Sequence, residues 1–196
     1  MIKNLTRTLA AAAVFGLTPA WGGPPLVCER IDIGNAQSLP WRNVEGWQGT
    51  DPAYDVSKLS SDTLALLKPE TPIKVRMETL RRAALYAAAH TRLADEVASK
   101  LLARTLDGEA AGKADALAWF DAGYFVETVR QATFVYRYDM LSPAERAAWK
   151  LRGDNPRLDG YAWIRKAIRL GGKGMDLALS KVEEYRRADL QRVAAR

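Results

Sequence analysis

The chain carries one cysteine and one histidine in 196 residues. With Cys28 alone no intrachain disulfide can form, so an apolar core must hold the fold. With His90 alone, multi-histidine metal sites and two-histidine catalytic schemes are excluded. A Ser-His-Asp site would have to use His90, which sits in an alanine-rich stretch with no nucleophile-elbow pattern beside it. The formal charge of +6 is spread without a dense basic block, so nucleic acid is not an expected partner. Gly171-Gly172-Lys173-Gly174 lacks the G-x-x-x-x-G-K-S/T order and follows no strand. It reads as a helix stop and a turn rather than a phosphate loop. No metal and no cofactor is expected.

Against these absences stands an ordered N-terminus. Lys3 and Arg7 precede an unbroken apolar run from Leu9 to Leu17, followed by Thr18-Pro19-Ala20. Basic, then apolar, then small is the build of a secretory signal peptide, here residues 1–20. The run is shorter than the roughly 20 residues that span a bilayer, so it reads as removable rather than as an anchor. The expected mature start lies between Trp21 and Pro24, and the expected location is periplasmic or secreted. No transmembrane span is expected in the mature chain. Lipidation at Cys28 is disfavoured, because Pro25-Leu26-Val27 departs from the lipoprotein pattern of a Leu-like residue at −3 and a small one at −1. Cys28 reads as a free or half-buried thiol.

Residues 21–58 form an irregular arm. Pro24-Pro25, Leu39-Pro40, Gly46, Gly49 and Asp51-Pro52 interrupt every candidate element. Trp41, Trp47 and Tyr54 stand among these breakers, and a disordered linker is poor in such aromatics. The arm is therefore expected to pack on the body through them.

Residues 59–196 read as one all-helical domain. A short helix starts at Ser61 or Asp62 and stops at Pro69. Thr71-Pro72 reads as a hydroxyl cap with proline at the first helical position. The stripe Ile73, Met77, Leu80, Ala84, Ala87 has helical spacing, shifts face at His90-Thr91, and resumes through Leu93, Val97 and Leu101 until Asp107-Gly108, which reads as a break at His90, with one continuous helix to Leu106 as the alternative. A helix from Lys113 to Tyr138 is apolar on most sides, which marks a central helix. Ser142-Pro143-Ala144-Glu145 is a capping box that opens a short helix through Trp149. Two more helices follow Asp159-Gly160 and Met175. From Lys181 onward the charges alternate, as on a solvated helix face. No convincing strand is present. The fold class is all-α, a compact array of about six to eight helices in helix-pair arrangement.

The stretch Gly160-Tyr161-Ala162-Trp163-Ile164-Arg165-Lys166-Ala167-Ile168-Arg169-Leu170-Gly171 resembles the first helix of a Sel1-like repeat, a relative of the tetratricopeptide repeats. Leu177 and Leu179 fall where a partner helix would lie, so the resemblance covers residues 160–182. It is a single copy. It implies paired antiparallel helices and a role in binding other proteins, and it supplies no catalytic residue.

The residues that could carry chemistry lie on the central helix. Asp121 and Glu127, six apart, point about 120° away from each other, so they are not a natural acid/base pair. Tyr124, Glu127 and Arg130 share a face, and Glu127 and Arg130 are spaced to pair. Paired charges on a central helix ordinarily hold helices together; a site requires a cleft beside them. Gly123 interrupts the same helix, and its expected partner is the small surface Ala83, Ala84, Ala87 and Ala88. The leading expectation is a non-enzymatic binding or scaffold module of the bacterial cell envelope, with Trp41, Trp47, Tyr54 and Arg130 as binding residues and another envelope protein or a peptide as partner. The alternative is a carboxylate-dependent enzyme with Glu127, Asp121 and Tyr124 in a helical cleft beside Arg130.

Overall fold

The computed structural model describes residues 25–44, 47–88, 90–137 and 158–194. The expected signal peptide, residues 21–24, Gly46 and the helix expected from Ser142, with Trp149, lie outside the described residues. Seven α-helices and no strand occur among the described residues: α1 Pro25–Cys28, α2 Leu59–Leu66, α3 Ile73–Ala88, α4 Thr91–Ala110, α5 Ala116–Arg137, α6 Gly160–Arg169 and α7 Asp176–Ala194. A 3-10 turn, Val56–Lys58, leads into α2. The nearest thing to sheet pairing is one isolated bridge between Trp41 and Thr50.

The apolar pattern places α5 at the centre. It is buried continuously from Ala118 to Thr128, and α1, α3, α4 and α6 all pack on it. A helix that is apolar nearly all round needs neighbours on every side, and α5 has them. Leu26 and Val27 of α1 join this core. The arm thus begins with a buried helical turn rather than irregular chain. Trp41, Trp47 and Tyr54 are partly buried and pack against the same core.

Several helix ends differ from their sequence signals. Thr71 does not cap α3. Its hydroxyl donates to Leu66 O at 2.9 Å and accepts from Lys68 N at 3.2 Å, which closes the turn between α2 and α3. Helix α4 runs through Asp107-Gly108 to Ala110. The glycine that stops it is Gly112, with φ +68°, where Lys113 N reaches back to Gly108 O and Gly112 N to Glu109 O. Those paired bonds need a left-handed residue, which Gly112 supplies and a mid-helix Gly108 does not. Gly171, at φ +90°, ends α6 with the same bonding. Helix α5 starts at Ala116 instead of Lys113, because Asp115 accepts from Leu117 N at 2.8 Å and so fixes the start.

The partner of Gly123 is also corrected. A Cβ on Gly123 would lie 2.6 Å from Gly160 O and 3.0 Å from Ile164 N, both in α6. The alanines of α3 are buried elsewhere in the core. Gly123 and Gly160 face each other, so the backbones of α5 and α6 meet with no side chain between them. Gly123, inside α5, costs that helix about 1 kcal/mol relative to alanine, and this close approach is what offsets the loss.

Gly160→Ala should therefore destabilise the fold by about 1–3 kcal/mol, since its methyl would press on backbone and on Glu127 Cγ. Urea denaturation measures this. An unchanged midpoint would mean that α5 and α6 do not meet through these glycines.

Candidate functional site

The candidate residues of α5 are buried and engaged. Asp121 is 1% exposed. Its Oδ2 accepts from Arg76 Nη1 at 2.5 Å. Arg76 also donates through Nε to Thr71 O at 3.1 Å and through Nη2 to Lys68 O. One guanidinium thus joins α5 to the turn before α3. Burial pushes the Asp121 carboxyl up to about 7, against the pull of Arg76. Its second oxygen, Oδ1, is buried without a partner.

Glu127 is fully buried. Its Oε1 accepts from Arg130 Nη1 at 2.7 Å, Arg186 Nη2 at 3.1 Å and Tyr161 N at 3.1 Å. Arg186 also holds Asp159 at 2.8 Å, and Asp159 caps α6 by accepting from Ala162 N at 3.1 Å. Arg130 Nη2 donates to Leu158 O at 2.9 Å. The cluster therefore joins α5, the start of α6 and α7. Tyr124 is sealed, and burial pushes its hydroxyl upward in pKa. That hydroxyl approaches Thr128 but makes no hydrogen bond of ordinary geometry. Asp121 and Glu127 belong to separate clusters, as their spacing on the helix implies.

The sequence pattern missed a third polar cluster, on α3. Glu78 and Arg81 are both fully buried. Arg81 grips Glu78 through Nε at 2.7 Å and Nη2 at 2.9 Å, and Arg82 Nε adds a third bond at 2.8 Å. Burial alone would raise the Glu78 carboxyl, but Arg81 and Arg82 together hold it below its ordinary value. All three side chains also hold the arm. Glu78 Oε2 accepts from Ile31 N at 3.2 Å, Arg81 Nη1 donates to Val27 O at 2.9 Å, and Arg82 Nη1 donates to Leu39 O at 2.7 Å. One helical turn on, Tyr86 donates to Pro40 O at 2.7 Å and accepts from Asp51 N at 2.8 Å. From α5, Gln131 Oε1 accepts from Leu26 N at 2.9 Å. A sequence signal existed. Glu78, Arg81 and Arg82 lie at helical spacing and border Ala83 and Ala84, whose small size permits close neighbours.

Trp41 and Tyr54 of the arm settle on this face. Trp41 lies over the Arg81 guanidinium at 4.8 Å and meets Tyr86 edge-on at 6.3 Å. Gly49 passes against the Trp41 indole so closely that a Cβ there would overlap the ring. Tyr54 stands 4.9 Å from Tyr86 and donates to Asp62 at 2.8 Å. An open cleft of about 320 Å³ lies here, lined by Asp51, Tyr54, Val56, Leu85, Tyr86 and His90. A smaller cleft, about 180 Å³, opens between α4 and α6 beside Leu102, Val126 and Trp163. Neither is lined by Asp121, Tyr124, Glu127 or Arg130. His90 is exposed at the start of α4 and makes no capping bond there. Cys28 is partly buried at the end of α1, and burial raises its thiol. Among the described residues no group of three His, Cys, Asp or Glu side chains is placed to hold a metal. No helix among them is long and apolar enough to cross a membrane.

Two predictions follow from the clusters on α5. A carboxyl whose folded pKa lies above its unfolded value binds more protons folded than unfolded between the two. For Asp121 that window runs from about 4 to about 7. Its contribution to stability is greatest at the acid end and falls as pH rises. The wild-type melting temperature should therefore drop relative to Asp121→Asn across this window. Parallel curves in a pH series of melts would show that Asp121 does not titrate there. Glu127→Gln removes the charge that three donors share, and should destabilise by about 1–3 kcal/mol. A Glu127→Gln protein that melts at or above wild type would assign Glu127 a role other than holding helices.

No family model, no curated protein and no solved structure matches the chain, so its function has to be read from this geometry.

Proposed function

We propose that the protein is an exported binding or scaffold module of the bacterial cell envelope. One observation carries the reading. The carboxylates able to do acid/base chemistry on α5 are sealed and ion-paired, whereas the larger open cleft is walled by aromatic rings. The hydroxyls of Tyr54 and Tyr86 are both bonded within the protein, so their rings are held in place before anything binds. Fixed rings reduce the entropy lost on association. The cleft is of the size that takes a small ligand or a side chain of a partner. The basic-apolar-small order of the first twenty residues supports export. The resemblance of residues 160–182 to a Sel1-like helix supports binding of another envelope protein or peptide, as does the partial burial of Trp41 and Trp47 against the core, with Trp41 edge-on to the cleft residue Tyr86.

A second reading is a carboxylate-dependent enzyme, favoured by the raised carboxyl of Asp121. It stands second because Asp121 already holds Arg76 and borders neither cleft.

The test is made in cells. The full chain is expressed in a bacterium with a photo-reactive residue in place of Tyr54. The expected product starts between Trp21 and Pro24 by mass spectrometry, fractionates with the envelope, and gives a discrete cross-linked species that unmodified protein competes away. Intact Met1 in the folded product would remove the export reading, and illumination without any adduct would remove binding at the cleft.

A further inference from the structure

We infer that the face of α3 and α5 beneath the arm is a peptide-binding groove, filled in this structure by the chain's own residues 25–41. Its ligand in trans is an extended peptide that carries an adjacent pair of apolar residues. This inference rests on the binding-module reading and gives it a ligand class.

Its basis is how the arm is held. Apart from the single bridge of Trp41 to Thr50, residues 25–41 pair with no strand among the described residues, yet five of their backbone groups are taken by side chains of the body. Gln131 takes Leu26 N, Arg81 takes Val27 O, Glu78 takes Ile31 N, Arg82 takes Leu39 O and Tyr86 takes Pro40 O. Side chains that read main-chain N–H and C=O groups are how a protein grips a peptide irrespective of most of its sequence. Sequence enters through Leu26 and Val27, whose side chains are 1% and 0% exposed in the core. Glu78, Arg81, Arg82 and Tyr86 follow one another at helical spacing, so the grip runs along α3 as a track.

The grip also has unused capacity. Gln131 Nε2 is fully buried without a partner. It lies at the groove, because the same amide already holds Leu26 N through Oε1. A side-chain amide can pair with an N–H and a C=O of a peptide together. The helical turn of α1 satisfies only the first half of that pairing. An extended peptide in the same place would offer a carbonyl to Gln131 Nε2 and so complete it. The groove therefore has more hydrogen-bonding capacity than its present occupant uses.

Two measurements on the full chain test this. The first is hydrogen exchange on the unmodified protein. The arm must leave without unfolding the body, so the amides of Leu26 and Ile31 should exchange at least about 100-fold faster than that of Phe125 in α5. Equal rates would make the arm an inseparable part of the core and overturn the proposal. The second uses a fluorescent synthetic peptide of residues 25–43, with a scrambled peptide as control. Leu26→Glu should weaken the arm in cis. That variant should bind the peptide at least about 10-fold more tightly than wild type, and the peptide should raise its melting temperature. Adding Gln131→Ala should remove the gain. A Leu26→Glu protein that neither binds the peptide nor is stabilised by it would overturn the groove. If the cross-link at residue 54 persisted in the same preparation, the binding-module reading would stand without it.

Discussion

The Glu78 carboxylate is the constraint on which the rest of the structure depends. It is fully buried, and three arginine nitrogens and one backbone N–H surround it. Removing one partner of such a buried pair costs about 3–5 kcal/mol, because the other charge is left without compensation. Arg81 and Arg82 are therefore fixed by Glu78, and their remaining donors point at the arm. This solves a problem set by the sequence. A segment broken by so many prolines and glycines cannot satisfy its own backbone in a helix or a sheet, yet it buries Leu26, Val27, Ile31 and Leu39. Buried N–H and C=O groups need partners. The charged face of α3 supplies them.

The other end of the molecule follows a similar rule with different residues. Helix α6 approaches α5 through two facing glycines, with the buried Ile164 side chain packed against Gly123. Glu127 also holds the pair there: its Oε1 accepts the Tyr161 N–H at the start of α6 and a guanidinium from α7. The glycine contact and the carboxylate depend on each other. A larger residue at 160 would move α6, and Tyr161 N would move with it. The burial of Glu127 is thus explained by helix docking, with no substrate required.

The sequence revealed helices better than it revealed what lies between them. The central position of α5, the break at His90 and the glycine stop after α6 were legible, because apolar spacing and left-handed glycines are local signals. The end of α4 was misplaced because Asp107-Gly108 and Gly112 are both plausible stops, and only the back-folding of Lys113 onto Gly108 O selects the second. Thr71 was misread because its hydroxyl had two local uses and the turn took it. The pairing of Glu127 with Arg130 was legible from spacing three. Arg186 was not, since it lies 59 residues away. The Glu78 cluster was hidden for a more general reason. Periodicity assigns charged residues to the solvent face, and nothing local says that the solvent face of α3 will be covered by another segment.

That last failure bears on function. A helix with apolar residues on one face and charges on the other ordinarily shows the charged face to water. In α3 the charged face is covered, and what covers it is chain with little regular structure. Two arginines and a glutamate would be a poor choice if apolar packing alone were needed there, since a hydrophobic replacement of similar volume is often as stable. What charges add over apolar contact is direction: each fixes a particular backbone N–H or C=O at hydrogen-bonding distance. A surface built that way holds a segment by its main chain and reads only the few side chains that enter the core, here Leu26, Val27, Ile31 and Leu39. Among the described residues, the charged groups of α3 hold the arm by its main chain, and the carboxylates on α5 hold helices.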